Sequence, residues 1–128
     1  MTLLVPFDGT ELSAAAVERA TEFAEFRGED VVALTVVPND PEYALSRNWV
    51  DPNEPFDPDA IAERFGDRVA DIAPRAEYRY EIPDDVSSMA SITTDITRTI
   101  RAVANELDVS VIFICSENAG RVSTPVSS

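Results

Sequence analysis

The sequence predicts an α/β protein, an open parallel sheet with helices packed on both faces. Three observations lead there. Short apolar runs alternate with longer stretches whose apolar residues recur at helical spacing. Residues 31–37 and 109–114 are apolar almost without interruption, the pattern of strands buried on both faces. Residues 76–82 instead alternate with period two, setting Tyr78, Tyr80 and Ile82 against Glu77, Arg79 and Glu81, as a half-exposed strand at a sheet edge would.

In chain order, residues 3–7 form the first strand, broken by Asp8-Gly9. Thr10 can cap a helix, Glu11 favours its first turn, and Leu12, Ala16, Ala20 and Phe23 make its apolar stripe. Gly28 suits its left-handed stop. After the second strand, residues 38–55 hold four prolines, with Tyr43 and Trp49 among acids. This predicts a long loop, pinned by its aromatic residues or functional, with at most a helical turn. Asp57-Pro58 then starts a helix: the aspartate caps, the proline fits the first helical position, and Phe56 can staple onto Ile61. Ile61, Phe65, Val69 and Ile72 form its stripe, and Pro74 marks the exit. A third helix carries Ile92, Ile96, Ile100, Val103 and Leu107 ahead of the last strand. In such sheets, ligands bind beyond the carboxyl ends of the strands, where strand order reverses. Asp8 and Cys115 close two strands at that end.

The 128 residues suffice for one domain with a single core, and 45% of them are apolar. No run reaches membrane-spanning length, and the start MTLLVPFDGT has no basic region or apolar signal core, so a cytoplasmic protein away from membranes is expected. Twenty-four acids against ten bases give a net charge of −14, and every base is arginine. The acids are spread along the chain, which indicates a charged surface rather than an acidic tail. Self-repulsion of this size opposes compaction in dilute buffer, and molar salt shortens the Debye length to about 3 Å and relieves it. The composition therefore points to a very salty cytoplasm. With no basic cluster, nucleic acid is not an expected partner.

Chemistry is limited by what is missing. Without histidine there is no Ser-His-Asp or Cys-His catalysis and no histidine-bearing zinc site. Without lysine there is neither a Schiff base nor a P-loop lysine. A phosphoacceptor receiver domain shares the architecture but needs a lysine, so that reading fails as well. Asp8 is either a carboxylate that accepts a ribose hydroxyl or holds a metal ion, or a turn aspartate bonded to backbone before Gly9. The lone Cys115 is either a reactive thiolate at a strand end or a small buried apolar residue. Ser116, Asn118, Gly120 and Arg121 form either an anion nest with a guanidinium nearby or an ordinary polar loop.

Taken together, LLVPFDGT at the start, ALTVVP at the second strand and DVSVIFICSENAGRVSTPVSS near the end resemble the universal stress protein family, over nearly the whole chain. The acidic composition and the SENAGR…TPVSS wording are similar to members from extreme halophiles. The resemblance implies a flavodoxin- or Rossmann-like sheet of order 3-2-1-4. It also implies a stress-response protein that binds ATP with Mg²⁺ in a signalling or protective role, with slow hydrolysis at most. Asp8 would hold ribose or the metal, and Val36 would place the base by a backbone contact. In the family, a loop of pattern G-x2-G-x9-G-[ST] wraps the phosphates. Here Cys115 and Asn118 stand at the first two glycines, and Ser128, or Ser127-Ser128 with a one-residue gap, stands at the end. Cys115 adds a Cβ where close approach is needed, whereas asparagine tolerates left-handed backbone. Family members continue into a further helix and a fifth strand that commonly serves dimerisation, and this chain is expected to lack both. Strand 109–114 would then be a bare edge, to be covered by a second copy or another partner. The alternative function is a nucleotide-free dimeric interaction module of the same fold.

Overall fold

The computed structural model describes residues 2–83, 92–109, 111–116 and 120–125. Strands β1 (Thr2–Pro6), β2 (Asp30–Val36), β3 (Glu77–Glu81), β4 (Val111–Ser116) and β5 (Gly120–Pro125) form one sheet of order β3-β2-β1-β4-β5. The first four are parallel, in the expected 3-2-1-4 order. β1 and β2 run side by side from Thr2↔Asp30 to Pro6↔Leu34, and these largely apolar strands take inner positions of the sheet, where both faces are covered.

Helices α1 (Glu11–Arg27) and α3 (Pro58–Ile72) cover one face and α4 (Ile92–Glu106) the other. The alternation of strand side chains divides the core accordingly. Leu3, Val5, Phe7 and Ala33 pack with Val17, Ala20, Ile61 and Val69, while Leu4, Leu34 and Val36 pack with Val103 and Ala104.

The helix boundaries follow local chemistry. The Thr10 side chain accepts from the Ser13 N–H at the start of α1, and Asp57 does the same for Ala60 at the start of α3, with Pro58 in the first turn. The end of α1 is a left-handed Gly28 (φ 69°), with the Glu29 N–H reaching back to the Ala24 carbonyl at 2.8 Å. In the long loop, Asp40 caps a short helix α2 (Pro41–Ser46), more than the single turn expected there. The expected stripe of α1 is corrected. Ala16, Val17, Ala20 and Ala24 are buried, whereas Leu12 and Phe23 are exposed. Small residues let this helix lie close to the sheet, and the larger ones fall beside the contact.

The expectation that β4 would present a bare edge is also corrected. Residues 120–125 return along it as β5, paired antiparallel from Ser116↔Gly120 to Val111↔Pro125. The strands are joined by residues 117–119 alone. A parallel return needs a crossover of a dozen or more residues, so so short a link permits only a hairpin. Pro125 sits on the outermost strand, where a missing N–H is tolerated. The edge of β4 is thus covered by the chain itself, and the argument for a partner on residues 109–114 falls away.

Candidate functional site

β1 delivers its last residues to the carboxyl end of the sheet and holds them firmly. The Phe7 N–H donates to the Leu34 carbonyl at 2.8 Å, and the Phe7 carbonyl accepts from the buried Thr35 hydroxyl at 2.9 Å. The next residue is Asp8. Its Oδ1 accepts from the Thr10 hydroxyl at 2.6 Å and the Thr10 N–H at 3.1 Å, while its own N–H donates to Ser13 Oγ at 3.3 Å. Its Oδ2 accepts from Arg47 Nη2 at 2.9 Å. The turn aspartate considered from sequence is therefore real, and the same side chain also makes an ion pair. Burial by itself would raise its pKa, but the Thr10 and Ser13 hydrogen bonds and the Arg47 charge outweigh that and hold it below the usual carboxylate value. Asp8 is ionised at neutral pH.

Gly9 makes this turn possible. It has φ 85°, and a Cβ there would lie 2.7 Å from the Phe65 ring. Arg68 Nη1 donates to the Gly9 carbonyl at 2.8 Å and tethers the turn to α3. The loop between β2 and α3 closes over the same region through aromatic edges. Tyr43 meets Trp49 and Trp49 meets Phe65, each with centroids 5.5 Å apart, and Phe65 meets Phe7 at 5.8 Å. Arg64 Nη2 donates to the Trp49 carbonyl at 2.7 Å. The aromatic pinning expected of residues 38–55 is present, and it brings Arg47 to Asp8.

These elements enclose a cleft of about 840 Å³ at the carboxyl ends of β1, β2 and β4. Leu34, Val36, Ile96, Ile100 and Ile114 give it apolar walls, and Asp8 and Arg47 put a charged pair on its rim. Such a volume, apolar with a few placed polar groups, suits a ligand of nucleotide size. Of the residues proposed from sequence, Asp8 and Val36 line the cleft together. Val36 ends β2 opposite Glu81, and the adjoining Val37 N–H is taken by the Glu81 carbonyl at 2.9 Å. Beyond Ile114, Cys115 and Ser116 complete β4, paired with Arg121 and Gly120 of β5. Those four residues lie in a ladder rather than in an open loop. Asn118, Ser127 and Ser128 lie outside the described residues. For a metal ion, Asp8 supplies one carboxylate, already paired with Arg47, and no group of three potential protein ligands assembles among the described residues.

A model of the universal stress protein family matches residues 1–126. The chain belongs to that family. Two solved universal stress proteins share its fold. One, a universal stress protein in complex with cAMP, is 19% identical with a TM-score of 0.52, the match covering 89% of this chain and 75% of that one. The other, from Burkholderia pseudomallei, is 19% identical with a TM-score of 0.51, covering 87% and 77%. No curated protein sequence gives a significant match. Among the described residues, no helix is long and apolar enough to cross a membrane.

Sequence reasoning did not identify Arg47, Arg64 or Arg68 as site residues. The two on α3 are four apart and so share a helix face, a signal open to reading where all ten bases are arginines. Arg47 gave no such signal, because its partner lies thirty-nine positions away.

Proposed function

We propose that this universal stress protein binds an adenine nucleotide in the cleft between β1, β2 and β4 and acts in stress signalling or protection in a salt-rich cytoplasm. The observation that carries the reading is the cleft itself, of nucleotide size, with an ionised and immobilised carboxylate on its rim. Asp8 accepts a ribose hydroxyl at Oδ2, which keeps a lone pair beyond its bond to Arg47, whereas Oδ1 is taken by the two Thr10 donors. Val36 and the isoleucines of α4 and β4 receive the base. The phosphates extend toward the link between β4 and β5, where Cys115, Ser116, Asn118, Gly120 and Arg121 contact them; Pro125 pairs with Val111 at the opposite end of β4, which takes Ser127 and Ser128 out of that set. ATP with Mg²⁺ is the leading ligand. In place of the ribose hydroxyl, Asp8 would serve as the one carboxylate for Mg²⁺, an ion that is commonly held by one or two carboxylates together with substrate phosphates and water, and the metal would neutralise phosphate charge. The cAMP complex of a relative supports nucleotide as the ligand class and makes cAMP the second candidate.

A nucleotide-free dimeric module acting by association is the second reading. It is favoured by the pairing of Ser116 with Gly120, which draws the expected phosphate loop into a ladder. Thermal shifts in KCl with Mg-ATP, cAMP and adenosine separate the two. A ligand at one hundred times its dissociation constant stabilises by about 2.7 kcal/mol. The nucleotide reading requires such a shift, reduced in Asp8→Ala; melting unchanged by all three ligands would leave the module.

A further inference from the structure

Beside the nucleotide cleft lies a second one, of about 460 Å³, that shares Asp8, Gly9, Thr10, Arg47 and Trp49 with it. Its character is opposite to that of the rest of the molecule. The chain carries ten arginines against twenty-four acids, yet Arg47, Arg64 and Arg68 all line this one cleft, with Asp8 as the only carboxylate among its lining residues. Arg47 is paired with Asp8. Arg64 and Arg68 are held by the neutral carbonyls of Trp49 and Gly9, and among the described residues neither forms an ion pair. Neither guanidinium therefore has an ion-pair partner in this cleft, where three arginines face one carboxylate, although Arg64 also lines a neighbouring cleft with Glu54, Asp57, Glu63 and Asp67.

The two forks are also positioned in advance. Each is tied to a carbonyl by one N–H, and the Arg68 guanidinium lies 5.4 Å from the Phe7 ring centroid. A guanidinium has five donors, so most of each fork is left for a ligand. Rigid planar forks without an ion-pair partner fit phosphoryl oxygens better than a single carboxylate, which offers fewer acceptors and less charge. Tethering the loop needs only one donor from each arginine and does not account for the excess charge gathered there.

We propose that this cleft binds a phosphoryl group, gripped by Arg64 and Arg68 with Arg47 at its edge. The inference goes beyond the nucleotide reading, which places its phosphates at the turn between β4 and β5, and stands without it. The test is calorimetric titration of the full chain with inorganic pyrophosphate, in metal-free buffer at fixed ionic strength set with KCl. Saturable binding at one site is expected, weakened at least tenfold in R64Q/R68Q and by less than twofold in R19Q/R101Q, which removes the same charge elsewhere. Should R64Q/R68Q fail to fold, R64K/R68K keeps both charges and a donor for each carbonyl, and a loss of threefold or more is expected there. Competition by ATP but not adenosine assigns the phosphoryl group to a nucleotide's tail. Binding that persists beside saturating ATP assigns it to a free anion, and either result supports the site. No saturable pyrophosphate binding overturns the proposal, as does equal weakening in R19Q/R101Q or unchanged affinity in R64K/R68K. None of these outcomes depends on whether adenosine binds, so failure here is distinct from failure of the nucleotide cleft.

Discussion

At Asp8 a carboxylate is divided between a turn and a cation: Oδ1 takes both Thr10 donors and Oδ2 takes Arg47. All these contacts favour the ionised form, and they lower its pKa despite burial, which acts the other way. The stability they contribute is present above the unfolded-state value near 3.8 and is lost as pH falls through the lower folded-state value. The melting temperature of Asp8→Asn should therefore lie below that of the parent by a constant margin from neutral pH down to about 4. Below that the gap should narrow, and subtracting the two curves removes the common titration of the other acids. A gap that widens on acidification would contradict the assigned contacts. The DGT turn itself was legible in the sequence. Arg47 was not, because nothing local to residue 47 signals a partner thirty-nine positions away.

At the scale of the element, the helix ends repay comparison. Asn48 and Asp108 take left-handed φ values of 59° and 54° at the exits of α2 and α4, as Gly28 does at the exit of α1. In each case the following N–H reaches back five residues, from Glu29 to Ala24, Trp49 to Ala44 and Val109 to Ala104. A Cβ on Gly28 would meet nothing within 4 Å, so Gly28→Ala pays for left-handed backbone alone, about 1 kcal/mol. Gly9→Ala adds a collision with Phe65, itself wedged between Phe7 and Trp49, and should cost on the order of 2–4 kcal/mol. Chemical denaturation of both variants checks the ranking, and equal costs would mean that Phe65 yields freely. Caps and stops of this kind were readable because they depend on neighbours in sequence. The hairpin of β4 and β5 was not, since Val122 and Ser123 gave a weak strand signal and their pairing depends on an edge made elsewhere.

At the scale of the whole molecule, charge and topology act separately. A net charge of −14 with no lysine predicts that the melting temperature rises as KCl is raised from dilute to molar, because screening relieves repulsion among surface acids. A lower melting temperature in molar KCl than in dilute buffer would end the argument for a salt-rich setting. The parallel order β3-β2-β1-β4 was accessible from alternation and family resemblance, and the apolar β1 and β2 do take its centre. By itself, the sequence determined the α/β class, the helix caps, the half-exposed edge of β3 and the excluded chemistries. All of these rest on residue type, periodicity or short-range hydrogen bonds. Only the tertiary structure decided that β5 closes the edge of β4, that Arg47 meets Asp8, and that Arg64 and Arg68 join it in one cleft. Each is a meeting of segments brought together by the burial of a shared core, and no local pattern specifies which distant partner that burial supplies.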